Sequence, residues 1–319
     1  MSRSTNRVRS EFLSLLLMGV GSFYVHRAFR AEKRQKLEWL RSTSQVFTTE
    51  HGSIEYAVRG QGQPLLYIHG GMGGFEQGIA LAEMPALDDF QLITFSRPGY
   101  RRTDISIGGS LPEQAESACR VLDHLGIRTA AVIALSAGGM AGLQFAQNYP
   151  ERCKALILLS AQGPELAHSR PSRFWLWLLD LMLASDFFVW MLMNLGMTVL
   201  TRLMRVVNVQ DSLPQITQFF AGVSPASDWR VGTANDVDQL INQQSIKLER
   251  IHVPTLVLHG TQDVIVPPVV ANDNAIKIPQ AQLTMIDGGT HIMMATHAGE
   301  ISHLIRHYLE RISGQMPHN

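Results

Sequence analysis

Two cysteines in 319 residues exclude a disulfide framework and a structural zinc site built on cysteine alone. Net charge is missing too. The 27 Lys+Arg balance 27 Asp+Glu, whereas a chain dedicated to nucleic acid normally carries a basic excess. Charged residues make up only 17% of the chain against 45% hydrophobic, so general disorder is excluded and a sizeable core is assured. No internal repeat or low-complexity segment is present. The uncharged run at residues 12–25 is 14 residues long, short of the roughly 17–25 that a membrane-spanning helix requires.

What is present is unevenly distributed. Residues 1–41 hold nine Lys/Arg against three Glu, leaving 18 basic and 24 acidic residues to the remainder. A leader of net +6 therefore precedes a body of net −6. The leader, residues 1–43, admits three readings: a membrane anchor, a helix packed on the protein itself, or a cleaved signal. The sequence His26-Arg27-Ala28-Phe29-Arg30 offers no A-x-A cleavage site, which weakens the last. If the run spans, the larger basic cluster lies on its C-terminal side and places the body in the cytoplasm. The alternative localisation is soluble and cytoplasmic.

From residue 44 short apolar runs alternate with helical ones. Residues 44–50 and 53–60, separated by His51-Gly52, read as an antiparallel hairpin. Residues 64–70, 91–97, 130–136, 154–160, 254–260 and 282–287 are runs of the kind that fill a parallel sheet. A helix opens at Ser110, with Glu113 three residues on as a capping box, and buries Ala115, Ala118, Cys119 and Leu122. Cys119 and Cys153 read as core thiols. The pattern predicts an α/β fold with a mainly parallel sheet flanked by helices, built from residues 44–162 and 251–319. Residues 163–250 break the rhythm with an apolar, aromatic-rich helical insertion, a lid over the sheet.

Three features fall at strand ends, where open α/β sheets bind ligands. The first is Ser136, in Ala134-Leu135-Ser136-Ala137-Gly138-Gly139, between a strand and a helix. A serine on a tight strand-to-helix turn needs small neighbours, and the following helix turns free N–H groups toward it. The second is His69-Gly70-Gly71-Met72-Gly73-Gly74. Its glycines let backbone N–H groups approach a substrate oxygen, with Gly71 as the expected oxyanion donor beside Ala137, and Met72 as the alternative to Gly71. A dinucleotide loop fails, because Glu76 stands where the third glycine belongs. The third is Asp263 with His291, each directly after a late strand. A serine hydroxyl needs a base to take its proton, and the base needs a carboxylate to fix its tautomer.

The order Ser136, Asp263, His291, together with the run Ser96 to Thr103, resembles the α/β-hydrolase family over roughly residues 50–312. The resemblance implies Ser136 as nucleophile, Asp263 as acid, His291 as base and residues 163–250 as a helical cap. A serine nucleophile argues against the branches that use aspartate. Two positions depart from the family's pattern: Ala134 and Arg101 stand where glycine is usual. The expected activity is hydrolysis of an ester-like bond in a small apolar molecule, with no cofactor and no metal. Carbon–carbon or amide hydrolysis is the rival within the class, and a ligand-binding module with little turnover is the rival outside it. Trp175, Trp177, Phe187 and Phe188 are candidate substrate contacts, although such an aromatic cluster more often packs the lid. His303 and His307 have metal-ligand spacing but lie opposite the apolar face of the last helix, so a solvated face is expected. Nothing in the sequence specifies oligomeric state.

Overall fold

The structure is a computed structural model that describes residues 2–84, 86–164, 177, 180–181, 183–206, 225–242 and 246–315, with the backbone alone for 2–17, 197–206 and 315. After a first helix, α1 (Ser2–Thr43), the chain forms β1 (Gln45–Thr49), β2 (Gly52–Arg59), β3 (Gln63–Ile68), α2 (Glu76–Ala82), β4 (Phe90–Phe95), α3 (Leu111–His124), β5 (Ala130–Leu135), α4 (Gly138–Asn148) and β6 (Cys153–Leu159). The insertion contributes α5 (Asp186–Val206) and α6 (Arg230–Asn242). The body resumes with β7 (Thr255–Gly260), α7 (Pro268–Lys277), β8 (Ala281–Ile286), α8 (Met293–Thr296) and α9 (Ala298–Gln315).

The eight strands make one sheet in the order β1-β2-β4-β3-β5-β6-β7-β8. The β1–β2 and β2–β4 pairs are antiparallel, and every other pair is parallel. The hairpin forms, but its two-residue turn is Glu50-His51, one residue earlier than expected, because Gly52 already pairs with Thr49 as the first residue of β2. Strands β5, β6 and β7 are buried almost throughout. That burial follows from helices covering both faces, and it is why these strands read as continuous apolar runs rather than alternating ones.

One face of the sheet packs Ala115, Ala118 and Leu122 of α3, Leu143 of α4 and Ala271 of α7. The other packs Leu81 of α2 and Ile301, Ile305 and Leu309 of α9. Cys119 and Cys153 are buried free thiols, and burial pushes the Cys119 thiol up to about 12. His303 and His307 are exposed on α9. The switch in connection direction positions the site. From β3 the chain passes through α2 to β4 on one side; from β5 it passes through α4 to β6 on the other. The loops leaving β3 and β5 therefore diverge to opposite faces, and a crevice opens at their C-terminal ends.

Helix α1 is packed against the body over its C-terminal part. Leu40 is buried with Ala57, Phe75 and Ile79. Phe29 is buried, with its ring 5.4 Å from Phe187 and 5.6 Å from Trp190 on α5. Lys33 Nζ lies 2.5 Å from Asp186 Oδ2, and Trp190 Nε1 donates to Glu32 at 2.7 Å. Among the described residues no helix is long and apolar enough to cross a membrane. The spanning form of the expected anchor therefore has no counterpart there; an uncharged run of 14 residues is too short for it.

Candidate active site

The turn after β5 carries Ser136 at φ 49°, left-handed backbone that a residue with a Cβ enters only under strain. The surroundings hold it there. Ser136 N–H donates to Leu159 O at 3.1 Å, and Ser136 O accepts from Gly139 N–H and Gln162 N–H, both at 2.9 Å. Close packing explains the glycines of α4. A Cβ on Gly138 would sit 2.4 Å from His69 O, and one on Gly142 would sit 2.4 Å from Ala134 Cβ. The second distance accounts for Ala134: its methyl occupies space that Gly142 leaves open across the helix–strand contact.

Three strand ends bring the predicted trio together. Ser136 Oγ lies 2.9 Å from His291 Nε2, and His291 Nδ1 lies 2.8 Å from Asp263 Oδ2. An ionised carboxylate only accepts, so Nδ1 carries the proton and Nε2 is left to accept from the serine hydroxyl. Asp263 is buried, and its Oδ1 accepts N–H groups of Ile265 and Val266, each at 2.9 Å. His259, fully buried, places Nε2 2.8 Å from Val266 O and 3.3 Å from Asp263 Oδ2. A carbonyl also only accepts, so this Nε2 bears a proton that both oxygens share. Burial works to raise the Asp263 carboxyl, but hydrogen bonds from His259, His291 and Val266 outweigh it and hold it well below the usual carboxylate range.

The glycine loop after β3 is fixed by side chains on several elements. Gln77 accepts Gly70 N–H at 2.9 Å and donates to Gly71 O at 3.0 Å. Arg97 donates Nε–H to His69 O at 3.0 Å and an Nη2 proton to Gly70 O at 3.2 Å. His69 Nδ1 lies 2.6 Å from Gly70 O, while its Nε2 accepts Arg97 N–H at 2.8 Å. These two bonds define a neutral imidazole protonated on Nδ1. Burial, then the charge of Arg97, holds His69 well below the ordinary histidine value. His69 thus orders the loop and is not arranged to take a proton.

Arg101, the second departure, sits at φ 53°, the backbone region a glycine would occupy freely. Its buried guanidinium lies 2.7 Å from Glu76 Oε1, which also accepts Gly74 N–H at 2.8 Å. The residue therefore exchanges glycine's freedom for a buried ion pair that pins the far end of the loop. Met72, at φ 59°, is the third strained residue of this site and is partly exposed. A Cβ on Gly70 would stand 3.1 Å from Ser136 Cβ and one on Gly71 4.0 Å from Ala137 Cβ, so the loop and the serine turn face each other.

The aromatic candidates divide. Trp175 lies outside the described residues. Trp177 and Phe188 are exposed. Phe187 packs on His26 and Phe29 of α1, their rings 5.5 and 5.4 Å away, and so joins the insertion to the first helix. Among the described residues no cluster of metal-ligating side chains occurs. Sequence reading missed Gln77, Arg97, Asp236 and His259. Only His259 left a local sign, its i, i+4 spacing to Asp263.

A family model described as alpha/beta hydrolase fold matches residues 63–298, more than half of the chain. The chain is similar to an uncharacterized hydrolase, YcgS, of Bacillus subtilis (strain 168), at 40% identity over 121 residues, 38% of this chain and 42% of that protein. It is 29% identical to a poly(3-hydroxyalkanoate) depolymerase of Ectopseudomonas oleovorans over 82% of this chain and 90% of that protein. Among solved structures, an alpha/beta hydrolase fold protein from Nakamurella multipartita superimposes with a TM-score of 0.65 at 25% identity, covering 83% of this chain and 98% of the other.

Proposed function

Because the chain belongs to the alpha/beta hydrolase family, we propose that it is a serine hydrolase cleaving an ester-like bond of a small apolar molecule. The observation that carries the proposal is the relay of two hydrogen bonds from Ser136 Oγ through His291 to Asp263, drawn from three separate strand ends. In this mechanism Ser136 Oγ attacks the substrate carbonyl while His291 Nε2 takes its proton. Asp263 holds the ring and stabilises the imidazolium that forms. The tetrahedral oxyanion is received by N–H groups of Ala137 and the glycine loop, at the N-terminus of α4, where the helix dipole also favours negative charge. His291 then protonates the leaving alcohol, the acyl-enzyme forms, and a water activated by the same imidazole releases the acid.

The ester reading is supported by the relative named poly(3-hydroxyalkanoate) depolymerase, at 29% identity, while relatives named as a carbamate hydrolase and a 2-hydroxymuconate semialdehyde hydrolase, at 27% and 26%, represent the amide-like and carbon–carbon alternatives. Apolar substrate is favoured by the insertion, which places the buried cluster of Leu183, Val189, Ala226 and Trp229 against Tyr100 of the body, the arrangement of a cap. A panel of aryl esters of increasing acyl length tests this. Turnover should rise with acyl length to an optimum, and Ser136→Ala should lose at least about 10⁴-fold in kcat. A panel on which both proteins are equally slow would contradict it.

The proposal extends to location. Lys33 meets Asp186, Glu32 meets Trp190, and Phe29 meets both Phe187 and Trp190, so the first turn of α5 crosses α1 over residues 26–33. Met18, Phe23, Tyr24 and Val25 of α1, ahead of this contact, and Met191, Leu192 and Leu195 of α5, beyond it, are exposed. With Arg27, Arg30 and Arg34 following on α1, this pair is suited to lie on the cytoplasmic surface of a membrane rather than to cross it.

A further inference from the structure

We infer that Asp236, on the insertion helix α6, is a positioning residue for the oxyanion hole, acting through Arg97. The inference rests on the hydrolase reading above and names what sets its geometry. Arg97 is at the end of β4 with a side chain 2% exposed, and all five of its guanidinium protons have acceptors. Nε–H serves His69 O at 3.0 Å. Nη1 serves Gln114 Oε1 at 3.0 Å and Asp236 Oδ1 at 2.6 Å. Nη2 serves Gly70 O at 3.2 Å and Asp236 Oδ2 at 2.6 Å. One face of the fork thus holds two carbonyls of the glycine loop, and the other holds a carboxylate from the insertion.

Peptide planarity turns this into a statement about the hole. In a trans peptide the C=O and the following N–H point in opposite directions from one rigid plane. Gly70 O accepts His69 Nδ1–H at 2.6 Å as well as the Arg97 proton, and His69 is in turn held by Arg97 at its O and its Nε2, so Arg97 directs this carbonyl both directly and through His69 and thereby fixes Gly71 N–H toward the opposite side. By the same rule Gln77, holding Gly71 O at 3.0 Å, sets Met72 N–H. The N–H groups of Gly71 and Met72 make no hydrogen bond with the described residues, so both remain for a ligand. The two donors have different keepers: Gln77 belongs to the body, whereas Arg97 depends on the insertion.

That dependence is electrostatic. A buried guanidinium without its carboxylate is an uncompensated charge in a low-dielectric setting, and it relaxes by moving or by admitting water. Among the described residues the ion-pair partner of Arg97 is Asp236. Asp236 is itself fixed: Tyr100 O–H donates to Oδ2 at 2.5 Å, and the Arg97 guanidinium stacks 4.8 Å over the Tyr100 ring. Helix α6 sits flush on that ring. A Cβ on Gly232 would fall 2.1 Å from it, and Gly232 N–H donates to Gly99 O at 2.8 Å. The insertion therefore does more than pack on Tyr100. Its seating completes the frame that aims Gly71 N–H.

The test compares full-length wild type, Asp236→Asn, Asp236→Glu and Tyr100→Phe on an aryl ester, at a temperature well below each variant's melting point. A misaimed donor affects the transition state more than the ground state. Asp236→Asn should lose about 10- to 100-fold in kcat with KM within about threefold, and Asp236→Glu should recover most of the loss. Tyr100→Phe, which keeps the ring and the ion pair, should lose about two- to fivefold, and it serves as the readout if Asp236→Asn does not fold. The rate of fluorophosphonate labelling should fall in step with kcat. A lowered melting temperature with wild-type kcat in the folded variants, or a rise in KM alone, would overturn the positioning role. Absence of labelling and turnover in the wild type itself would instead overturn the hydrolase reading, and this inference with it.

Discussion

At the scale of single residues, the site is organised by which polar atoms are already committed. Every carbonyl from His69 to Gly71 has a donor, and Gly70 N–H and Gly74 N–H have acceptors. The candidate trio was legible because the proposed chemistry restricts it to a serine between small residues, and to Asp263 and His291 directly after strands. Arg97 and Asp236 were not legible, because 139 residues separate them and neither belongs to a motif that names its partner. Arg101 was visible as a departure, but its meaning required Glu76, 25 residues away in sequence. The arithmetic at Arg101 is testable. Arg101→Gly would relieve left-handed strain of about 1–3 kcal/mol but abandon a buried carboxylate, a loss of about 3–5 kcal/mol. The second effect wins, so urea unfolding should show a net destabilisation of about 2 kcal/mol. Adding Glu76→Gln, which keeps an acceptor for Gly74 N–H and removes the charge, should restore most of it. An Arg101→Gly protein as stable as wild type would contradict the account.

At the scale of elements, the strands were readable from their apolar runs, and Ser110 with Glu113 marked the start of α3, where Ser110 N–H donates to Glu113 Oε2 at 2.9 Å. The first helix was harder. Its uncharged run drew attention to residues 12–25, yet the packed part lies further on. There only Phe29 and Leu40 are fully buried, eleven positions apart, too sparse to show the i, i+3, i+4 pattern of a packed helix. Truncation separates the two parts. Deleting residues 1–25, of which 18–25 are exposed, should leave the melting temperature within about 2 °C, since changes at exposed positions are small. Deleting 1–43 exposes Phe75, Ile79, Phe187 and Trp190 and removes the Lys33–Asp186 pair. At about 1.5–3 kcal/mol per large apolar side chain uncovered, that should cost about 6 °C or more. Equal melting of both truncated proteins would refute the packing role of α1.

At the scale of the whole molecule, the zero net charge conceals a division of labour: a basic, apolar-tipped helix and an acidic body that carries the candidate site. The α/β class followed from alternating strands and helices, and the position of the site followed from where the connections reverse between β3 and β5. What the sequence could not convey is that α1 and the insertion are joined to each other as well as to the sheet. If the exposed apolar residues of α1 and α5 lie on a membrane surface, full-length protein should float with vesicles containing anionic phospholipid, and less so with purely zwitterionic ones. Removing residues 1–25 should abolish flotation without lowering aryl-ester turnover. Identical sedimentation of both proteins with every vesicle would contradict the surface role.

The hydrolase reading itself rests on Ser136 acting as a nucleophile activated by His291. The most direct measurement is labelling of the full chain with a fluorophosphonate probe, read by intact mass and by locating the adduct. The account predicts a single adduct on Ser136 in the wild type, strongly slowed by His291→Ala and absent in Ser136→Ala. Equal labelling of wild type and Ser136→Ala, or an adduct at another residue, would contradict it.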